Sequence, residues 1–292
     1  FCTTQLGADH QESVELRLAR GVARTRLGKI DPAAEDFAVA LDLLPDGEHA
    51  EEALLRELAG QGEVLGRLAE LRPDNHDAWI RQGRGFAKRG EWQKALDYYT
   101  PAVPSEQVDG RKYELACLLL LTGQDEQFGH LCRQLIDSVK HVPRPSGNGL
   151  IMTLTLRDQE GLDPEQLIRW AESNLEKKKD GLSRYGLGCA YYRAGRYAEA
   201  VETLTACSEQ QDATGRYAAF PLALALRRLN KPAESRHWEQ VGRGALTSMR
   251  EDPGPWAAAH VLTLNVWGRE MEAVAGQQIT TETGHDVHQT EK

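Results

Sequence analysis

Along this chain, apolar and small residues recur at spacings of three and four, in paired runs separated by a glycine or an asparagine. That spacing lines one face of a helix. The sharpest case places Trp79, Gln82, Gly83 and Phe86 before Gly90, then Ala95, Tyr99 and Ala102. A second places Leu187, Gly188 and Tyr191 before Gly195, then Tyr197, Ala200 and Leu204. Both predict two helices joined by a tight turn, in a unit of about 34 residues. Aligning the small residue that lets paired helices approach selects Gly21, Gly83, Ala116, Gly188 and Ala223. The spacing is 223 − 188 = 35 at one step and 116 − 83 = 33 at another, with gaps of 62 and 72 between. Those gaps each span about two units, so degenerate hairpins are expected inside them.

The first unit carries Gly21, the Leu27-Gly28 turn, and Ala33, Phe37 and Ala40, with Asp31-Pro32 opening its second helix. The degenerate pairs are expected at 49–60 with 63–71, and at 149–157 with 164–177. Asp163 before Pro164 supplies a capping acceptor and a preset φ. The last strong unit covers 217–229 and 233–244, with Asn230 where other units have glycine. Asn is the next best residue for a left-handed turn. A final helix is expected from Trp256 to about Ala275, followed by a disordered polar tail over 276–292. Loops are expected at 101–109 and 141–148, and no strand signal of any length appears.

The W-x2-L-G-x2-Y spacing followed by A-x3-F resembles the tetratricopeptide repeat. That resemblance implies an all-α, right-handed α-solenoid of about seven or eight helical hairpins over residues 1–275. It also makes Gly21, Gly83, Ala95, Gly188 and Ala200 structural residues of the repeat. The string Gly186-Leu187-Gly188 through Tyr191-Tyr192-Arg193-Ala194-Gly195-Arg196-Tyr197 is more specific. Together with Leu222-Ala223-Leu224-Ala225-Leu226-Arg227-Arg228-Leu229 and Tyr113-Glu114-Leu115-Ala116-Cys117, it resembles the C-terminal repeats of large planctomycete-type proteins. Those proteins carry a serine/threonine kinase domain, and often WD-repeat propellers, ahead of the repeats. No catalytic residue of such a kinase falls within this chain. Arg184 departs from the pattern, where an aromatic residue opens the unit.

The 292 residues carry 35 Lys and Arg against 44 Asp and Glu, a net charge of −9. An acidic balance argues against nucleic acid as a partner, since such domains show a basic stripe. No apolar run reaches the ~18 residues that span a bilayer, and the longest, 115–121, fits a buried helix. Cys2, Cys117, Cys132, Cys189 and Cys207 form no C-x-x-C pair. Reduced thiols in a cytoplasm are the expectation from that spacing. The start at Phe1 reads as a fragment cut from a longer polypeptide.

No catalytic set emerges from the sequence, and no cofactor or metal is expected. Gly83, Gly85 and Gly90 lack the strand and the G-K-[S/T] of a phosphate loop. His130 near Cys132 has no further ligand at metal spacing, and His285 and His288 fall in the polar tail. One pattern points elsewhere. Arg26, Lys88, Arg193 and Arg228 are basic at the same place before four hairpin turns. There they would grip an acidic peptide, or simply answer the helix macrodipole at a C-terminus. Arg84 and Cys189 follow a packing glycine and face the same way. Tyr185, Cys189, Tyr192 and Arg193 thus form an expected aromatic and basic groove patch, of the kind enriched at binding hot spots. The expected function is a non-catalytic scaffold that binds a protein or peptide, acidic segments included, within a larger signalling protein. The alternatives are a small-molecule sensor and a structural spacer.

Overall fold

Each expected hairpin turn needs one residue in the left-handed region, and the computed structural model supplies it. Gly28, Gly90, Gly123 and Gly195 have φ between +67° and +80°, and Asn230 stands at +57°. The structure describes residues 2–43, 54, 58, 61–72, 76–103, 110–142, 145, 147–209, 213–251 and 257–285. Among them every regular element is a helix, and the fold is all-α, built of repeated helical hairpins. The chain divides into two compact units, 1–107 and 108–292.

In the first unit, α1 (Cys2–Arg26) pairs with α2 (Ile30–Asp42), and α3 (Gly62–Leu71) packs between α2 and α5 (Trp92–Ala102). The latter pairs with α4 (His76–Arg89). The packing glycines behave as their spacing implies. A Cβ on Gly21 would sit 2.4 Å from the Phe37 ring, and one on Gly83 would sit 2.7 Å from Tyr99. Trp79, Tyr98, Tyr99 and Ala95 are wholly buried, and Phe86 stacks on Tyr98 at 5.4 Å between ring centroids. Most of the expected 49–60 helix lies outside the described residues, as does most of the 101–109 loop.

The second unit opens with α6 (Gly110–Leu121) and α7 (Asp125–Val139), followed by α8 (Asn148–Thr155) and α9 (Pro164–Lys178). Asp163 caps α9 as read, its carboxylate accepting from the Glu165 N–H at 3.1 Å. Lys179 closes α9 in the left-handed conformation. Asp180 then starts α10 (Gly181–Arg193) by accepting from the Ser183 N–H at 2.7 Å. Helix α11 (Tyr197–Ser208) pairs with α10 across Gly188, where a Cβ would lie 2.6 Å from Leu204.

Three boundaries differ from the sequence reading. The 217–229 helix is split into α12 (Ala213–Tyr217) and α13 (Ala219–Arg228). Its partner α14 runs Pro232–Glu251, past the expected end at 244. The final helix α15 spans Ala257–His285, beyond the expected stop at Ala275, and residues 286–292 lie outside the described residues. From Ala257 to Leu264 every residue of α15 is buried, and Val266, Trp267 and Met271 follow. A helix segment buried on every side, its Thr263 hydroxyl bonded to the Ala259 carbonyl, belongs inside a core. Accordingly α15 packs against α6, α13 and α14 of its own unit.

Candidate functional site

In the first unit the basic positions stand on the first helix of each hairpin. Arg26 is exposed at the end of α1, and Arg84 and Lys88 are half-buried on α4. Arg26 and Lys88 share the same offset from the packing glycines Gly21 and Gly83. Arg84 and Lys88 also carry interactions within the chain.

A second cluster on α1 escaped the sequence reading. Asp36 on α2 is 2% exposed, and three guanidinium groups from α1 surround it. Arg20 grips it with two bonds, Nε to Oδ2 at 2.8 Å and Nη2 to Oδ1 at 2.5 Å. Arg24 adds a bond at 2.8 Å, and Arg17 stands 3.9 Å away. These bonds, that from Arg20 foremost, hold the Asp36 carboxyl below the usual carboxylate range, although its burial acts the other way. Arg17, Arg20 and Arg24 fall on adjacent turns, which was the available signal.

In the second unit the expected patch meets α15. Tyr185, Cys189 and Tyr192 are 1%, 0% and 5% exposed. Tyr192 packs edge-on against Trp267 of α15 at 5.9 Å and donates to Glu270 Oε1 at 3.0 Å. Tyr113 of α6 reaches Thr263, and Tyr217 of α12 packs on His260 at 4.6 Å. The structure thus places the aromatic part of the patch under α15, whose residues 257–264 are buried on every side. Ala200 is buried between the paired helices, as its repeat position requires, and Arg228 lies exposed at the end of α13.

Arg193 is the centre of this arrangement. Its Nε donates to the Thr155 carbonyl at 2.7 Å and its Nη2 to the Leu156 carbonyl at 2.6 Å. These are carbonyls at the C-terminal end of α8, which lack partners within their own helix. The outer edge of the guanidinium grips Glu270 twice, at 2.8 and 2.7 Å. Its plane lies 4.5 Å from the Trp267 ring and 5.2 Å from that of Tyr192. Burial works against the charge, yet the Glu270 carboxylate outweighs it and holds the Arg193 pKa above its ordinary value. Arg269 plays the same part for α6, donating to the Leu121 carbonyl at 2.8 Å. The basic residue before this turn therefore serves a helix C-terminus, that of a neighbouring first helix rather than its own.

A cleft of about 490 Å³ opens beside this pair, lined by Leu121, Leu156, Asp158, Arg193, Arg269 and Glu270 among others. The proximal part of α15 is not an exchangeable ligand of the face it covers. Val261, Leu262, Leu264 and Trp267 are each at most 1% exposed. Burying each stabilises by ~1.5–3 kcal/mol, on the order of 10 kcal/mol together. A ligand needs a preference of only ~5.5 kcal/mol to swing a two-state equilibrium from end to end, so this cost exceeds ordinary switching.

Thiol chemistry is suppressed by burial, which pushes the Cys132 thiol up to about 12 and the Cys117 and Cys189 thiols higher. Among the described residues no three His, Cys, Asp or Glu side chains converge as a metal site would need. His288 lies outside those residues. Repeated hairpins around a packing glycine, with Gly188 against Leu204 and a left-handed Gly195 turn, are the geometry that the pattern implied. Residues 185–247 match the tetratricopeptide repeat family model. This tetratricopeptide region runs from within α10 through most of α14 and includes Tyr185, Cys189, Tyr192, Arg193 and Arg228. No curated protein matches the chain. No helix among the described residues is long and apolar enough to cross a membrane.

Proposed function

We propose that the chain is a non-catalytic scaffold that binds an acidic protein segment through the first-helix face of its 1–107 unit. Tetratricopeptide repeats generally mediate contacts between proteins, and the match at 185–247 supports that class. The observation that carries the choice of face is the exposure contrast. Arg26, Arg84 and Lys88 reach the surface, whereas Tyr185, Cys189 and Tyr192 are sealed by α15. On the sequence resemblance, the scaffold is a module of a larger cytoplasmic signalling protein.

Charge attraction of this kind is worth ~0.2–1 kcal/mol per exposed pair. Reversing two cations should therefore weaken binding by about two- to thirtyfold. The test uses the full chain and a labelled glutamate-rich peptide, followed by fluorescence anisotropy at rising salt. Binding should weaken as salt screens the charges, and should fall in the double variant Arg84→Glu, Lys88→Glu. Affinity that ignores both the salt and the double reversal would remove this face from consideration.

A further inference from the structure

We propose that the cleft beside Arg193 is a docking site for a helical segment of a partner protein that presents a carboxylate. In the isolated chain the outer edge of Arg193 is covered by the distal part of α15, residues 268–274, whose Arg269, Glu270 and Ala273 form one wall of the cleft. This inference rests on the scaffold reading and gives it a second, separately testable surface.

The receptor side is fixed without help from these distal turns. Thr155 at the end of α8 and Leu156, which caps it, hold the inner edge of the guanidinium through their carbonyls, and the Tyr192 ring supports its face. The outer edge is left for one carboxylate, and Glu270 takes both of its bonds. A planar fork held in this way selects a carboxylate in a fixed orientation. An incoming carboxylate on a partner helix would replace Glu270 bond for bond, so no buried charge is left unpaired in the exchanged state.

The distal turns are held mainly by polar bonds, those of Glu270 to Arg193 and Tyr192 and that of Arg269 to the Leu121 carbonyl, and by far less apolar burial than the helix they extend. Every position from Ala257 to Leu264 is buried, but Arg269, Glu272 and Ala273 are exposed and Glu270 is half-buried. Met271 is the one buried apolar side chain among 268–274. Gly268 marks the boundary between the two regimes. A Cβ there would meet Phe220 at an ordinary 3.6 Å, so packing does not demand glycine. Glycine within a helix weakens it locally and permits a bend. The proximal helix can thus remain in the core while the distal turns peel away from the cleft.

The test keeps the full chain and uses a labelled synthetic peptide of residues 268–278 as the probe. The tethered segment competes at millimolar effective concentration, so the wild-type chain should bind this peptide poorly. Glu270→Gln in the chain weakens the hold on the distal turns and should tighten peptide binding at least tenfold. The peptide carrying the same E270Q change should bind the variant chain at least tenfold more weakly than the parent peptide. Met271→Ala, which loosens the distal turns but keeps the ion pair, should also admit the peptide, should E270Q fold poorly by circular dichroism. Arg84→Glu with Lys88→Glu should leave this binding unchanged, which separates it from the acidic-segment face. Binding that is absent from both variants, or indifferent to the peptide's glutamate, would overturn the proposal. Concentration-dependent self-association of the E270Q chain in light scattering would also overturn it, by assigning the cleft to a second copy.

Discussion

The Tyr113 hydroxyl lies 2.8 Å from Thr263 Oγ1, 150 positions further along the chain, and so helps tie α15 to the first helix of its unit. Thr263 also donates to the Ala259 carbonyl at 2.7 Å, so the phenol is the group that donates across the interface. Both side chains are buried, and burial raises the Tyr113 pKa well above the ordinary phenol value.

Tyr113→Phe should therefore cost about 0.5–1.5 kcal/mol, the net value of one buried hydrogen bond, with the helix packing kept. Urea unfolding of both proteins measures it. A midpoint equal to wild type would mean that the hydroxyl pair contributes nothing to docking α15.

Gly83→Leu and Gly188→Leu should each destabilise by ~1–3 kcal/mol, since the new side chain would enter the Tyr99 ring or Leu204. Gly244 supplies the opposite sign. It lies exposed within α14 with nothing within 4 Å of a Cβ. Gly244→Ala should stabilise by about 0.5–1 kcal/mol through helix propensity. Denaturation midpoints for the three variants decide whether the helix faces are assigned correctly.

Acid should weaken the first unit through Asp36. Its pKa in the fold is lowered, chiefly by the Arg20 bonds, from an ordinary value of 3.8. A group depressed in the folded state stabilises above its unfolded pKa and loses that contribution as pH falls through the folded value. Stability should thus decline below about pH 4, and Asp36→Asn should flatten that part of the profile while lowering stability at neutral pH. Unfolding free energies from pH 2 to 7 for the two proteins make the comparison.

The thiols offer a check on burial. Cys117, Cys132, Cys189 and Cys207 are all free and buried. With Ellman's reagent at pH 8, none of these four should react fast in the native protein, and all four should react in guanidinium. Rapid labelling of any of the four in native buffer would contradict the packing of α6, α7, α10 or α11.

The hairpins were legible because their signals are local. A glycine against a ring, and a left-handed residue at the turn, can be read from spacing alone, as at Gly83, Gly90, Gly188 and Asn230. The split at Ala218 was not legible, because an apolar run such as 217–229 continues a helical pattern through the break. The fate of Tyr185, Cys189 and Tyr192 was hidden for a different reason. Trp267 and Glu270, which meet Tyr192, lie far along the chain, and spacing carries no information about which face a distant helix will cover. The one available sign was the composition of 257–267, which lacks any Asp, Glu, Lys or Arg and so suits a core. The three arginines on Asp36 were visible as a stripe on α1, but their shared partner belongs to α2.

Helix α15 also changes how the 108–292 unit comes into being. An open array of hairpins gains stability one repeat at a time, with each unit answering only to its neighbours. Here a helix distant in sequence completes the packing of the unit's first, so loop-closure entropy must be met before the contacts at Tyr113 and Tyr217 form. High contact order of this kind slows folding. It also makes the unit an all-or-none body during translation: until α15 has left the ribosome, Tyr185, Tyr192 and Arg193 remain open to solvent, and the nascent chain displays a face that the finished protein withholds.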